Sequence, residues 1–333
     1  MVGSVEVELG GNHVGLEERV AKGGLDWARA LRLVEELCGP CSQANTLAYA
    51  QAAEEMAQLI VPPRAAYLRL VLAEMERVAS HLMNAADTMQ ALHMPEREGV
   101  LRDLRERALQ AMAEWSGSRL HPGLITYGGL ARNVDEAANR ALILAARHIE
   151  RALRTHVNAL VNARDIASRL AGLGVIRAEE AALACLRGPV ARASGLAMDI
   201  RSDFPTGAYE EEGATIVVQR AGDAFSRLVV RLLECLESLR LVEQALDDLP
   251  PGPVRARGSA EMRGGSGVGR VEGPRGEVFC WVQGGAEGLT GLHLSAGSFP
   301  TLGILPGLVR GANFEDLELL LLSVDLCLPC AER

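Results

Sequence analysis

The sequence predicts a mainly α fold: a central helix bundle with a small β appendage, in which the two ends of the chain meet at a buried metal site. Three observations predict it. Apolar residues recur at helical spacing through most of 25–249. Glycine and β-branched residues take over after Pro250-Pro251-Gly252-Pro253. Two Cys-x-x-Cys pairs of identical spacing, Cys38/Cys41 and Cys327/Cys330, stand at opposite ends of the chain. We read one domain over 1–333, made of a helical bundle (25–249), a β-containing appendage (254–310), and a C-terminal helix with a metal-binding tail (314–333).

The elements follow in order. Leu25, Ala28, Leu31 and Val34 predict a helix that runs to Cys38. Ser42 is placed to cap a second helix over 45–59, which the Pro62-Pro63 pair ends. Leu68, Leu72, Met75, Val78 and Leu82 form one stripe of a third helix over 64–94. Further helices are expected over 96–115, 134–170 and 213–249, joined by Gly/Pro/Arg-rich loops at 120–133 and 188–206. Val268 and Val271, then Val278, Phe279, Trp281 and Val282, suggest two short strands around a turn at Pro274-Arg275-Gly276. A last helix, 314–324, leads into the second cysteine pair.

Composition narrows the function. A formal charge of −9, with Arg and Glu interspersed, argues against nucleic acid as a partner. No apolar run approaches the ~20 residues of a bilayer span, and no secretory signal opens the chain, so membrane attachment is expected through partners. Seven cysteines without an export signal argue against a disulfide framework. Cys185, Cys235 and Cys280 stand alone and are expected to be small buried apolar residues.

The paired cysteines leave three chemistries open. Four soft thiolates suffice for zinc, iron or nickel. A structural zinc site usually keeps its pairs within tens of residues. Cys38-Gly39-Pro40-Cys41 also matches the dithiol motif of thioredoxin-like oxidoreductases, but that frame wants a strand where 27–37 reads as helix. Cys41 sits at a helix start, where the dipole is expected to lower its pKa.

The third chemistry rests on a resemblance. Asp26-Trp27 to Ala30-Leu31, Leu33-Val34-Glu35 and Cys38-Gly39-x-Cys41-Ser42 resemble the first cysteine motif of nickel-iron hydrogenase large subunits. Ser323-Val324-Asp325-x-Cys327-x-x-Cys330-x-Glu332-Arg333 resembles their C-terminal motif. Between them lie Val61-Pro62-Pro63-Arg64-Ala65, Glu76-Arg77-Val78-Ala79-Ser80-His81, Gly188-Pro189-Val190-Ala191-Arg192 and Glu272-x-Pro274-Arg275-Gly276-Glu277, in family order. The resemblance is to the energy-converting, membrane-bound branch, including carbon-monoxide-induced hydrogenases, and extends to the quinone-pocket subunit of respiratory complex I.

The resemblance implies that Cys38, Cys41, Cys327 and Cys330 bind nickel, with Cys41 and Cys330 bridging to an iron that carries carbon monoxide and cyanide. It implies that Pro274 and Arg275 roof the site, that Asp325 holds Arg275, and that dihydrogen and protons are the substrates. Arg275 taken alone reads as a turn-surface arginine, and the flanking match reverses that reading. Glu17, in His13-x-Gly15-Leu16-Glu17, is the expected proton-relay residue, with a solvated helix-start glutamate as the alternative. His81 reads as either a core histidine or a proton-path residue. No iron-sulfur ligand set remains in this chain, so the resemblance implies an iron-sulfur small subunit as electron partner, membrane subunits, and a peripheral place on the cytoplasmic side. The end at Arg333 implies the mature form, either cleaved just after the last motif or made without a tail. Glu36, Asn45 and Leu326 depart from the family's arginine, histidine and proline, and the family's N-terminal motif is missing or shortened. These departures favour the alternative, a complex-I-like subunit with an altered or empty site that serves coupling or another acceptor.

Overall fold

The computed structural model describes residues 1–11, 15–23, 25–256 and 264–332. His13 and Arg333, both used in the motif reading, lie outside the described residues.

Helices α1 (Leu16–Gly23) and α2 (Trp27–Glu36) open the fold, and Asp26 caps α2 by accepting from Arg29 N. One 3₁₀ turn, Gly39–Cys41, joins α2 to α3 (Ser42–Ala57), which ends with Gln58 in the left-handed region. Pro63 occupies the first turn of α4 (Pro63–Ala91), where its missing N–H costs nothing. The predicted α4 stripe is buried along its length. Helix α5 (Pro95–Ser116) follows and closes at Gly117. A two-stranded hairpin, β1 (Ile125–Thr126) and β2 (Gly129–Leu130), precedes α6 (Glu136–Val161) and α7 (Arg164–Leu170).

One helix was expected over 134–170, but the chain breaks at Asn162–Ala163. Leu160, Ala163, Ile166 and Leu170 stay buried in phase across the break, so periodicity alone cannot reveal it. Four short helices come next: α8 (Ala178–Leu183), α9 (Gly188–Ala193), α10 (Ile200–Asp203) and α11 (Tyr209–Glu212). Helix α12 (Ala224–Asp247) starts eleven residues later than predicted. Gly222 has φ +68 and backs onto the Ile176 carbonyl, and Asp223 caps the helix through Ser226 N, so local backbone geometry overrides the apolar spacing of 213–221. Helices α4, α5, α6 and α12 pack as the central bundle.

Three strands, not two, form the sheet: β3 (Gly265–Gly273), β4 (Gly276–Gly285) and β5 (Gly288–Ser295), all antiparallel in sequence order. On β3, Gly267 and Gly269 face α3, and a Cβ at either would overlap the Ala52 or Ala48 carbonyl. The buried face of β3 is thus glycine against helix backbone, which is why Val268 and Val271 do not alternate. Strand β5 was missed because glycines dilute its apolar residues, although Leu289, Leu292 and Leu294 are buried. Helices α13 (Ser298–Val309), α14 (Leu317–Val324) and α15 (Leu328–Glu332) complete the chain, and α13 was not predicted. Cys235 and Cys280 are buried as expected, but Cys185 is exposed, in a left-handed turn after α8.

Candidate metal centre

Each cysteine pair is held on one tight turn. Cys38 precedes the 3₁₀ turn and Cys41 ends it, and Pro40 occupies an early position that needs no amide. Cys327 follows the left-handed Asp325 that ends α14, and its amide donates to Ser298 Oγ at 3.0 Å. Cys330 lies within α15.

The four sulfurs are buried and all lie within 4.8 Å of one another. Cys38 Sγ and Cys327 Sγ approach to 3.1 Å, well beyond a disulfide bond. A tetrahedron of ~2.3 Å metal–sulfur bonds has sulfurs ~3.8 Å apart, so the cluster fits a single soft ion. Hydrogen bonding to the Cys327 sulfur pushes the Cys38 and Cys41 thiols up, and hydrogen bonds with Cys330, then Cys38 and Cys41, hold Cys327 well below the ordinary thiol range.

Arg275 reaches the cluster from the β3–β4 hairpin, whose two-residue loop is Pro274-Arg275. Its Nη1 donates to Cys41 Sγ at 3.2 Å and to Ser80 Oγ at 3.1 Å. Its Nη2 donates to Asp325 Oδ1 at 2.8 Å, and its Nε to the Asp325 carbonyl at 2.9 Å. Burial works against the guanidinium charge, but Asp325 and the Cys41, Cys327 and Cys38 sulfurs hold its pKa well above the ordinary value. The backbones of Gly188 and Gly297 lie so close that a Cβ at either would collide with the Arg275 main chain. A second buried guanidinium, Arg231, stands 3.8 Å from Asp325 Oδ2. Arg275 is therefore no surface arginine.

The expected effect of the helix dipole on Cys41 is not what the structure contains. The α3 amides of Gln43 and Ala44 donate to the Glu76 carboxylate at 2.6 and 3.0 Å, so a carboxylate already occupies that helix start. Ser42 makes no cap either: its Oγ pairs with His121 Nδ1 at 2.9 Å. Asn45 Nδ2 points at Cys330 Sγ, 3.7 Å away. Sequence reasoning missed Glu76 and Ser80 as neighbours of the centre. The available signal was their four-residue spacing on α4, which puts both on one face.

Glu17, on α1, lies against β5. Its carboxylate accepts from Leu294 N at 3.0 Å and lies 3.4 Å from His293 Nδ1, so its described partners are on β5. His81 is fully buried, 2.9 Å from Glu234 Oε2, and burial pushes its pKa down to about 4. It joins a buried network in which Arg192 bridges Glu234, Asp199 and Glu272, and Arg201 bridges Asp199 and Glu74. Arg77 donates from there to the carbonyls of Glu272 and Gly273, at the root of the Arg275 hairpin.

The same chain has recognisable relatives. Residues 99–263 match the family model described as respiratory-chain NADH dehydrogenase, 49 kDa subunit. The carbon monoxide-induced hydrogenase of Rhodospirillum rubrum is 30% identical over 339 aligned positions, covering 99% of this chain and 91% of that protein. The chain belongs to this hydrogenase and 49 kDa subunit family. A subunit of the NADH-quinone oxidoreductase of Desulfitobacterium hafniense is 31% identical, with 98% of this chain and 89% of that one covered. A chain in the solved structure of the membrane-bound sulfane sulfur reductase, an archaeal respiratory membrane complex, superposes with a TM-score of 0.92. That pair is 26% identical, with 100% of this chain and 91% of the other covered. Family relatives thus serve in hydrogenases and in respiratory complexes alike. Among the described residues no helix is long and apolar enough to cross a membrane.

Proposed function

We propose that the chain is the catalytic large subunit of an energy-converting nickel-iron hydrogenase, peripheral on the cytoplasmic side of a membrane complex. One observation carries the reading: four buried sulfurs form a single cluster, and one of them, Cys41, receives a hydrogen bond from a guanidinium that Asp325 orients. A purely structural zinc site has no use for that buried Arg–Asp pair. The helix α2 ahead of Cys38 likewise speaks against a thioredoxin-like dithiol.

Cys38, Cys41, Cys327 and Cys330 would hold the nickel, with Cys41 and Cys330 shared with an iron bearing carbon monoxide and cyanide, and Pro274 and Arg275 closing the site above them. When bound, such a centre supplies Lewis-acid binding and polarisation of dihydrogen. The chain's own contribution is electrostatic and positional. Arg275 presents a fixed positive charge beside the Cys41 sulfur, and Asp325 fixes the plane of the guanidinium through two of its nitrogens. The surrounding burial keeps bulk water from screening that charge. Electrons would leave to an iron-sulfur small subunit, and membrane subunits would couple the reaction.

The alternative is a complex-I-like subunit with an altered site, suggested by Glu36, Asn45 and Leu326. Elemental analysis and infrared spectroscopy of the purified complex decide between them. Nickel and iron near one each per chain, with carbon monoxide and cyanide bands, is the expected result; stoichiometric zinc, or no metal, refutes the hydrogenase.

A further inference from the structure

A cavity of about 80 Å³ lies between α4, α5 and the turn that carries Cys38 and Cys41. Gly39 and Pro40 of that turn line it, as do Glu76 and Ser80 of α4, and it reaches Arg105 and the exposed Arg119. Most of the wall is apolar, from residues such as Met75, Ala79 and Leu109. Two polar atoms of lining residues are buried without a hydrogen-bond partner: Gln43 Oε1 and Arg105 Nε. Buried polar atoms of that kind are ordinarily satisfied by water, and a site needs only ~10–15 Å³ of such volume per molecule, so the cavity has room for several.

Ser80 connects this space to the centre. Its Oγ accepts from Arg275 Nη1, which also donates to Cys41, and its own hydroxyl proton remains available to a second partner. Glu76 stands one helical turn away on the same face of α4. Its carboxylate is held by the Gln43 and Ala44 amides, and it is the acidic side chain in the lining.

We propose that Glu76 relays protons between the cysteine centre and water in this cavity, a role that rests on the hydrogenase reading. In the direction of dihydrogen oxidation, the proton released at the centre adds to a Glu76 oxygen, forming one O–H bond. That bond breaks as a cavity water accepts the proton, which restores the carboxylate and leaves hydronium to exchange with solvent. No electrons move in the step. The charged groups around Glu76 are Arg77 on its own helix, Arg275 on the hairpin, and Arg105 on α5 and Arg119 beyond it across the cavity. Burial pushes the carboxyl up to about 8, against the pull of the two amides and of Arg77 and Arg275, so both protonation states are accessible near neutral pH.

The competing role, a helix cap and nothing more, is separable. In the purified complex, Glu76→Gln keeps an oxygen for one α3 amide and removes the exchangeable proton. Ala79→Leu fills the cavity and leaves the cap untouched. We expect both to retain nickel, iron and the carbon monoxide and cyanide bands, and to slow exchange between dihydrogen and deuterium oxide by about a hundredfold, the usual contribution of a proton-transfer group. Infrared difference spectra between acid and alkaline buffer should show a carboxyl C=O band that Glu76→Gln removes, with or without metal. Full-rate exchange in either variant with metals intact overturns the relay. So does absence of the carboxyl band, or metal loss in Glu76→Gln beside full-rate exchange per nickel in Ala79→Leu, which assigns Glu76 to capping alone. A wild-type complex without nickel refutes the proposed function instead, and the carboxyl band still reports whether Glu76 titrates.

Discussion

Replacing Arg275 with lysine keeps the charge and removes the geometry. Three guanidinium nitrogens make four contacts: Nε to the Asp325 carbonyl, Nη2 to its carboxylate, and Nη1 to both Cys41 Sγ and Ser80 Oγ. A lysine ammonium has one nitrogen and cannot stand at three separated points. Keeping the ion pair with Asp325, its strongest partner, forfeits the bond to Cys41. One hydrogen bond to a charged group is worth about 1.5–3 kcal/mol. Since about 1.4 kcal/mol is a factor of ten in rate, turnover should fall about ten- to a hundredfold. The four ligands are untouched, so nickel and iron should stay. The assay is dihydrogen-dependent reduction of a dye by the purified complex, normalised to nickel. Unchanged turnover at full nickel would refute the assignment of Arg275, and loss of nickel would show that it builds the site instead of acting in it.

Three further outcomes are expected. Cys330→Ser replaces a thiolate with a harder oxygen donor and should abolish nickel loading and activity together, read by elemental analysis. Gly269→Ala puts a methyl group into the Ala48 carbonyl; because backbone cannot move aside as a side chain does, we expect about 1–3 kcal/mol of destabilisation, seen as a lowered thermal midpoint of the isolated chain. The unfolded chain protonates histidine near 6.5 whereas folded His81 stays neutral down to about 4, so the unfolded state binds more protons between those values. Stability from this group should be complete above 6.5 and lost as pH falls toward 4, by about 3 kcal/mol; urea midpoints that do not move over that range, or that move equally in His81→Gln, would contradict the burial argument.

The long elements were legible because each carries a local signal. The α4 stripe, the Pro63 start and the hairpin turn at Pro274-Arg275 all follow from residues within a few positions of one another. What escaped were features set by partners distant in sequence. Strand β3 looked weak because its buried side is glycine fitted to the α3 backbone, and a glycine announces freedom rather than the neighbour that requires its absence of a side chain. Ser42 looked like the cap of α3, yet Glu76, 33 and 32 residues away from Gln43 and Ala44, supplies it.

By itself the sequence determined the ligand chemistry, two Cys-x-x-Cys pairs whose spacing permits four thiolates, and the helical class that keeps the first pair out of a thioredoxin frame. What only the tertiary structure decided is how the two pairs meet: sulfurs separated by 289 residues come within 3.1 Å as α3 and α14 both pack on α4, a contact that no local pattern encodes. It also decided which partners the acidic groups take: Asp325 holds Arg275, Glu76 accepts from the α3 amides, and Glu17 accepts from β5. Charge and residue type are properties of single positions, but the distance between charges, which governs their mutual effect, belongs to the folded chain.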